Sequence, residues 1–225
     1  MNTNLWLITA KTNLHVGNEN ASNYGIIDKA VQRDVLTDLP CINSSSLKGA
    51  VNEYCARNTE VDLLKVFGSD KINKSKGSQK GSAIFFDAKL LYFPVQDEAN
   101  LFHYATSDAV IAQLKDRLSV FGLSVDETEL RSVLVPDHGV EVISAAAFGE
   151  MCKDENLPVI ARNVLENGRS ANLWYEQVIP AETVFFAVIQ EEGEELSNAL
   201  HRKIIQIGAN ATIGYGYCRF TKVAL

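Results

Sequence analysis

The chain has 225 residues, 46% of them hydrophobic and 22% charged, and its formal net charge at pH 7 is −7. This composition is typical of an ordinary globular protein that can bury a full core, and one domain spanning residues 1–225 is the simplest organisation. No uncharged apolar run approaches the roughly 18 residues of a transmembrane helix, and the N-terminus lacks the basic start of a signal peptide. We therefore expect a cytoplasmic protein without a membrane partner.

The cysteines and histidines give no sign of a metal site. The four cysteines are widely spaced without a C-x-x-C pair, and the four histidines are equally scattered. Because a zinc site needs clustered thiolates and imidazoles, we expect no structural metal and four free thiols. The sequence also lacks the G-x-x-x-x-G-K-[ST] loop that binds nucleoside triphosphates.

Charge is distributed unevenly along the chain. Residues 1–81 hold ten Lys and Arg against eight Asp and Glu, whereas residues 82–225 hold 11 against 20. Since phosphate contacts require Lys and Arg, the groups suited to nucleic acid are concentrated in the first third. The acidic remainder is expected to face solvent or basic partner subunits.

The first predicted elements are a strand and a long loop. Residues 5–12 form an apolar run typical of a strand, and residues 17–43 follow as a loop that carries Asp28. Loops of that length in compact domains are generally functional or disordered. Disorder is disfavoured by the apolar residues of this loop, which include Ile26, Ile27, Val31, Leu36, Leu39 and Ile42.

A helix is predicted after the loop. The apolar residues from Leu47 to Cys55 recur with helical spacing, and the serines before them offer N-cap hydroxyls. The first turn of a helix has unpaired N–H groups, and here Ser44, Ser45 and Lys48 would stand beside them. Donors and positive charge that converge on one point suit a phosphate. The alternative, that the serines are only structural caps, stays open.

A short helical piece over residues 59–67 is predicted to stop at Gly68, where the composition changes. Residues 68–81 are rich in Gly, Ser and Lys and have no apolar period, which is typical of a mobile basic loop. This loop either contacts RNA or is a solvated linker.

The middle of the chain is predicted to alternate between strands and helices. Residues 83–95 are rich in Phe, Leu, Ile and Tyr and indicate one long strand or a pair of strands. Ser107 is a good N-cap for an amphipathic helix that ends near Gly122. Short strands are predicted at residues 133–135 and 140–143.

A β-hairpin is predicted between Arg162 and Tyr175. It turns at Asn167-Gly168, a pair that favours the tight turns of hairpins. We place the inserted hairpin region at about residues 159–178.

The C-terminal part is predicted to contain a strand at residues 183–190, a helix at residues 196–207 and a strand at residues 211–223. The whole order is strand, helix, strands, helix, strand. It indicates an α+β fold with a ferredoxin-like or RRM-type core, interrupted by the long loop after the first strand and by a central insertion with the hairpin.

Several ordered motifs together indicate a family. H-V-G at residues 15–17, G-x-x-D-x-x-x-Q-R at residues 25–33 and S-S-L-K-G at residues 45–49 are followed by HYATSDAVIAQL, PVIARNVLENGRSANLWYEQVIPAETVFF and IGANATIGYGYCRF. This pattern resembles the RAMP superfamily of CRISPR effector proteins, and most closely the repeated backbone subunit of the type III-B (Cmr) complex. Gln177 departs from the pattern, because the family often has a second Glu after the position of Glu176.

The resemblance implies a role in RNA-guided defence. Copies of such a subunit stack into a helical filament along a guide RNA, beside other type III CRISPR effector subunits, and cut complementary target RNA at regular intervals. The family's catalytic Asp corresponds to Asp28, and its nearby His corresponds to His15. A divalent cation, Mg²⁺ or Mn²⁺, is expected for cleavage, with Asp28 as a candidate ligand, and Glu176 is a weaker candidate for the chemistry.

The resemblance also implies RNA-binding residues. Four polar residues are assigned to guide-RNA phosphates: Arg33, Ser44, Ser45 and Lys48. Three glycines, otherwise explained as a helix cap and a strand bulge, are assigned to a guide-RNA cradle: Gly208, Gly214 and Gly216. The hairpin around Asn167 and Gly168 is expected to displace a nucleotide and kink the guide–target duplex.

Three other functions remain open at this point. The chain could be a guide-holding scaffold that has lost cleavage. It could be a stand-alone guide-processing ribonuclease that relies on histidine chemistry and needs no metal. A structural interaction protein unrelated to RNA is the last alternative.

Overall fold

The structure, a computed structural model, describes residues 1–17, 27–69, 79–136 and 138–224. The strands are β1 (Asn2–Ala10), β2 (Cys41–Ile42), β3 (Ile84–Phe85), β4 (Ala88–Asp97), β5 (Leu101–Ser107), β6 (Val140–Ile143), β7 (Val159–Glu166), β8 (Arg169–Gln177), β9 (Val184–Glu191), β10 (Ile204–Gln206) and β11 (Tyr217–Lys222). The helices are α1 (Ser44–Asn58), α2 (Leu63–Phe67), α3 (Asp108–Ser119), α4 (Glu127–Arg131), α5 (Ala145–Met151) and α6 (Glu195–Leu200).

One sheet carries most of the fold. Its strands lie in the order β10-β11-β1-β9-β4-β5-β6, while β2 pairs with β4 and β3 pairs with β9. All of these pairings are antiparallel except β5 with β6. The predicted α+β class is therefore confirmed. The narrower RRM-type description stays a prediction, and the antiparallel order β11-β1-β9-β4 agrees with it.

The centre of the sheet is buried on both faces. Leu5, Trp6, Leu7 and Ile8 are consecutive in β1, so their side chains point alternately to opposite faces, and all four are fully buried. A strand that is covered on both faces needs apolar residues at every position. This explains why the first strand has an apolar run with only partial alternation.

The helices predicted around residues 47–55 and after Ser107 are present, and the piece predicted over residues 59–67 is helical only from Leu63. The α1 helix buries Leu47, Val51 and Cys55, and in α3 the Ser107 hydroxyl accepts a hydrogen bond from the Val110 N–H. Asp62 caps α2 in the same way through the Lys65 N–H. The described helices are all too short or too polar to cross a bilayer.

The helix predicted near the C-terminus differs from the structure. The helix predicted over residues 196–207 ends at Leu200, and Ile204–Gln206 pairs with β11 as the edge strand β10. Arg202 has a φ of 61°, which no right-handed helix continues, and its N–H donates to the Phe220 carbonyl at 2.7 Å. Ile204 continues the helical spacing of the apolar residues before it, but this spacing is a coincidence. The β-branched side chains of Ile204 and Ile205 also suit an edge strand, which is what the chain forms here.

Two further strand predictions need correction. Residues 133–135 form a turn region rather than a strand. The strand predicted over residues 211–223 is shorter, since Ala211–Ile213 is a turn of 3₁₀-helix and β11 begins only at Tyr217.

The long loop packs through part of its apolar content. Val31, Leu39 and Ile42 are buried, whereas Leu36 is 91% exposed in a turn. Ile26 and Gly25 lie outside the described residues, as do Lys71, Lys74 and Lys76 of the predicted basic loop.

The predicted hairpin is present as a two-stranded sheet separate from the main one. Strands β7 and β8 pair from Val159 with Gln177 to Glu166 with Arg169. Asn167 and Gly168 connect them with φ values of 52° and 78°, so the turn predicted from the Asn-Gly pair is confirmed.

Candidate active site at the base of the hairpin

Asp28 lies where the long loop meets the last residues of β8. Its N–H donates to the Tyr175 carbonyl at 3.0 Å, and its carboxylate Oδ2 accepts from the Tyr175 N–H at 2.7 Å. The next residue, Lys29, forms a bridge with Glu176 in parallel orientation. Asp28 itself is exposed. Main-chain and side-chain bonds thus fix an exposed carboxylate beside the hairpin.

His15 lies behind this junction and is buried, with 3% of its surface exposed. Its Nδ1 is 2.7 Å from the Gln177 carbonyl oxygen, an acceptor, so Nδ1 carries the proton of this hydrogen bond. The same Nδ1 lies 3.7 Å from Glu176 Oε1. This geometry favours a role in holding the hairpin base, and a role as the acid in cleavage stays a prediction.

Glu176 is a buried carboxylate in the same junction. The Asn210 amide donates to its Oε1, and the Trp174 indole N–H lies 3.5 Å from its Oε2. Only 1% of Glu176 is exposed. Its contacts join the hairpin to the glycine-rich loop, and its part in the chemistry stays a prediction.

Gln177 is the residue of this site that sequence reasoning missed as a contributor. It is fully buried, and both ends of its side-chain amide are used. Oε1 accepts from the Val31 N–H at 3.0 Å, and Nε2 donates to the carbonyl and the carboxylate of Asp154 at 3.0 and 3.1 Å. The one sequence signal for Gln177 was that it stands where the family often has a second Glu.

Arg33 makes its contacts within the chain. Its Nε and Nη2 lie 2.8 and 2.7 Å from Asp154 Oδ1, and Nη2 and Nη1 donate to the carbonyls of Cys152 and Asp38. The side chain is only 12% exposed. The structure therefore indicates a structural role for Arg33, and its predicted contact with a guide phosphate has no support in this geometry.

The first turn of α1 is partly satisfied by the chain itself. Asn43 is the N-cap, so the serines are the first helical residues, and the Ser44 N–H donates to Asp87 Oδ1 at 2.8 Å. Ser45 is exposed and Lys48 is half-buried. A carboxylate already occupies one donor of the predicted phosphate site, and the assignment of Ser44, Ser45 and Lys48 to RNA stays a prediction.

A buried lysine links this helix to the long loop. The Lys89 ammonium, on β4, pairs with Asp34 and lies 3.4 Å from Asp87 Oδ2. Burial raises the pKa of Asp34, but the hydrogen bond from Lys89 and the N–H groups of Thr37 and Leu36 outweigh it and hold the pKa below its usual range. Burial also raises the pKa of Asp87, and the Ser44 N–H and Lys89 again outweigh it.

The glycine-rich loop packs closely against its own chain at two of its three glycines. A Cβ at Gly208 would lie 2.2 Å from the His15 carbonyl oxygen, and one at Gly216 would lie 2.0 Å from the Ile207 carbonyl oxygen. No described atom lies within 4 Å of a Cβ at Gly214. Gly208 and Gly216 are therefore required for close packing within the chain. The RNA cradle stays a prediction, and Gly214 is the glycine of the three with space beside it for a ligand.

The hairpin beyond the junction presents side chains to solvent. Leu165 and Leu173 are 63% and 52% exposed, and Tyr175 is also exposed. At its base the Lys29 ammonium lies 5.1 Å from the centre of the Trp174 ring, a cation–π contact. A flat, half-apolar ribbon of this kind can pack against a planar base or another protein surface.

The carboxylates near the hairpin base bear on whether a divalent cation could bind there. Within the described ranges, no three side chains of His, Cys, Asp or Glu are gathered as a metal cage would require. Mg²⁺ is often held by one or two carboxylates together with substrate phosphates and water, rather than by a protein cage. The exposed Asp28 carboxylate fits that kind of site.

Known proteins resemble this chain over nearly its whole length. The CRISPR system Cmr endoribonuclease Cmr4 of Pyrococcus furiosus is 25% identical, with 88% of each chain covered. A chain of the type III-B Cmr-beta complex bound to cognate target RNA superposes with a TM-score of 0.74 at 20% identity, covering 99% of this chain and 97% of that one. Oligomeric Cmr4 from Pyrococcus furiosus gives 0.73 at 20% identity, covering 100% and 99%.

These structures share the fold described above, which agrees with the α+β class predicted from the sequence. The sequence model of the RAMP superfamily matches residues 7–219, which include Asp28, the hairpin and the glycine-rich loop. The resemblance inferred from the motifs is confirmed, and the chain belongs to the RAMP superfamily.

Proposed function

We propose that this chain is a backbone subunit of a type III-B CRISPR complex that binds guide RNA and cuts complementary target RNA. The observation that carries the proposal is the exposed carboxylate of Asp28, held by the Tyr175 N–H at the base of a projecting hairpin. The relative from Pyrococcus furiosus is named an endoribonuclease, and its match covers 88% of this chain.

The chemistry proposed is attack by a ribose 2′-hydroxyl on its own 3′-phosphate. The new bond joins the 2′-oxygen to phosphorus and the bond to the 5′-oxygen breaks, which leaves a 2′,3′-cyclic phosphate and a 5′-hydroxyl. The attacking and leaving oxygens must be in line, and a regular duplex does not permit that alignment. A hairpin that displaces one nucleotide would supply the required geometry, and Asp28 lies at its base.

Carboxylates are in general weak bases at neutral pH, so we assign Asp28 the role of orienting the 2′-hydroxyl and binding the cation. A divalent cation there would neutralise charge on the phosphate oxygens. Because the site offers one exposed carboxylate rather than a cage, the RNA would supply further ligands. Cleavage is then expected to stop when a chelator removes the cation.

The proposed partners are a guide RNA, its complementary target, further copies of this chain in a helical filament and other type III subunits. The exposed apolar side chains of the hairpin support a surface that is covered in the assembly. Ser44, Ser45, Lys48 and Gly214 remain the proposed guide contacts, because they are assigned residues that stay at least partly accessible or face open space.

The test is cleavage of a guide-complementary RNA by the reconstituted complex with Mg²⁺, comparing wild type with Asp28→Asn. The asparagine can still accept from the Tyr175 N–H but lacks the charge, so we expect cleavage at least about 100-fold slower with target binding retained. Asp38→Asn, at an exposed acid of the same loop, is the matched control and should cut normally.

Unchanged cuts in Asp28→Asn would contradict the catalytic assignment, as would loss of guide RNA from that complex. If the wild-type complex binds target but makes no cuts, the chain is instead a guide-holding scaffold.

A further inference from the structure

Gln177 stands at a point where three segments meet. Its main-chain N–H donates to the Lys29 carbonyl at 2.9 Å, and its carbonyl accepts from His15 Nδ1 at 2.7 Å. The residue is fully buried and directly follows Glu176, whose neighbour Tyr175 holds Asp28. Any change at Gln177 therefore acts two residues along β8 from Tyr175, which fixes the candidate catalytic carboxylate.

The side chain of Gln177 adds two contacts that the main chain cannot supply. Oε1 accepts from the Val31 N–H, three residues beyond Asp28, and Nε2 donates to Asp154. The Gln amide accepts on one side and donates on the other, whereas an ionised Glu of the same length can only accept. A carboxylate at this position would face the Asp154 carboxylate and carbonyl with no proton to donate.

Asp154 also contacts the long loop that carries Asp28. Its Oδ1 also binds the Arg33 guanidinium, and Arg33 lies two residues after Val31. Side-chain contacts thus link Val31 to Gln177, Gln177 to Asp154 and Asp154 to Arg33, and the main chain from Val31 to Arg33 completes the circuit at the end of the Asp28 segment. We name these four residues the amide clamp.

We propose that Gln177 is a positioning residue: through the amide clamp it holds the segment from Asp28 to Val31 against β8, so that the Asp28 carboxylate is presented at a fixed place beside the hairpin. The inference rests on the proposed cleavage for its functional consequence. Its structural part concerns the clamp alone and can be tested without RNA.

The clamp has a chemical signature that Gln177→Glu would reveal. A protonated glutamic acid can accept from Val31 and donate to Asp154, as the amide does, whereas the carboxylate cannot donate. Burial and the Asp154 carboxylate both favour the protonated form, and Arg33 partly offsets them. His15 and Glu176 are the other ionisable side chains facing this residue, and they are present equally in the wild type.

The experiment measures RNA cleavage by complexes that contain wild type, Gln177→Glu or Gln177→Met. The pH runs from about 8 to about 5.5, because a buried carboxyl group beside a carboxylate has a pKa above its usual value. We expect Gln177→Met to cut at least about 10-fold more slowly throughout, since misplacement by 1 Å can cost about 100-fold. The ratio of Gln177→Glu to wild type should rise at least about threefold as the pH falls. Gln96→Glu makes the same change at an exposed position and should show a constant ratio.

A second measurement separates the clamp from catalysis. In the isolated chain, amide hydrogen exchange over residues 27–33 should be faster in Gln177→Met than in wild type, by about fivefold or more at Val31. Unchanged exchange there overturns the clamp. If wild type cuts RNA and Gln177→Met cuts equally well, or if the Gln177→Glu ratio does not depend on pH, the positioning role is overturned. Faster exchange in a chain whose complexes never cut would contradict the proposed cleavage and leave the clamp standing.

Discussion

The nine-stranded sheet and the hairpin of β7 and β8 are built on opposite principles. In the sheet, β1 and β9 are buried on both faces, so each residue is fixed by many neighbours. In the hairpin most side chains are exposed, and its base is joined to the body by a small set of hydrogen bonds at Asp28, Lys29, Glu176 and Gln177. The sheet determines the fold, whereas a few polar contacts determine where the hairpin and the candidate catalytic carboxylate stand.

The largest effect should come from the centre of the sheet. Phe185 is fully buried in β9, and Phe185→Ala should lower the free energy of unfolding by about 3–5 kcal/mol because it leaves a cavity among packed side chains. Leu173→Ala, in the hairpin, should lower it by no more than about 0.5 kcal/mol, since half of Leu173 is already exposed. Chemical denaturation of both variants measures the two free energies of unfolding. Similar losses in the two variants would contradict the difference drawn between the sheet and the hairpin.

An intermediate effect is expected at Lys89, where polar contacts are buried within the sheet. Lys89→Met leaves the Asp34 carboxylate buried without its cation and should lower the free energy of unfolding by about 3 kcal/mol at pH 7. Asp87 contributes less, because its side chain is 39% exposed and solvent screens its charge.

The pH dependence of the Lys89 effect follows from the two acids. Their pKa values are lowered in the folded chain, so their contribution to stability is present above the unfolded pKa of about 4 and is lost as the pH falls through the folded values. The difference between wild type and Lys89→Met should therefore be largest above about pH 5 and shrink below about pH 4. Denaturation at several pH values checks this, and a pH-independent difference would contradict the ion pair.

The smallest effect is expected at the hairpin base. Lys29→Met removes the cation from the Trp174 ring and should lower stability by only about 0.5 kcal/mol, because Lys29 is exposed. A double-mutant cycle with Trp174→Leu measures the coupling between the two side chains. A coupling energy near zero would mean that the contact between Lys29 and Trp174 does not help to hold the hairpin base.

The sequence allowed elements to be predicted wherever a local signal was complete. The serine cap at Ser107 and the Asn-Gly pair at residues 167 and 168 each identified their element. The G-x-x-D pattern indicated Asp28 as a candidate, and its catalytic role stays a prediction. The prediction was wrong at Ile204, where helical spacing coincided with a strand, because pairing with β11 is a contact between distant residues.

The site was predictable only in part for the same reason. Asp28 belongs to a local motif, but the contacts of Gln177 with Val31 and Asp154 join residues far apart along the chain. Arg33 shows the converse case. The family resemblance suggested a phosphate contact for Arg33, and only the fold shows that Asp154 and two carbonyl groups surround its guanidinium.

The tip of the hairpin has a consequence for its length. No described atom lies within 4 Å of a Cβ at Gly168, so residues could be added or removed near the turn without disturbing the sheet. Each extra pair of opposed residues would extend the ribbon by about 3.4 Å, and successive pairs would face opposite sides. Insertions of two pairs would therefore lengthen its reach by about 7 Å while restoring the same side chains to the same face. The reach of the hairpin can thus change independently of the core.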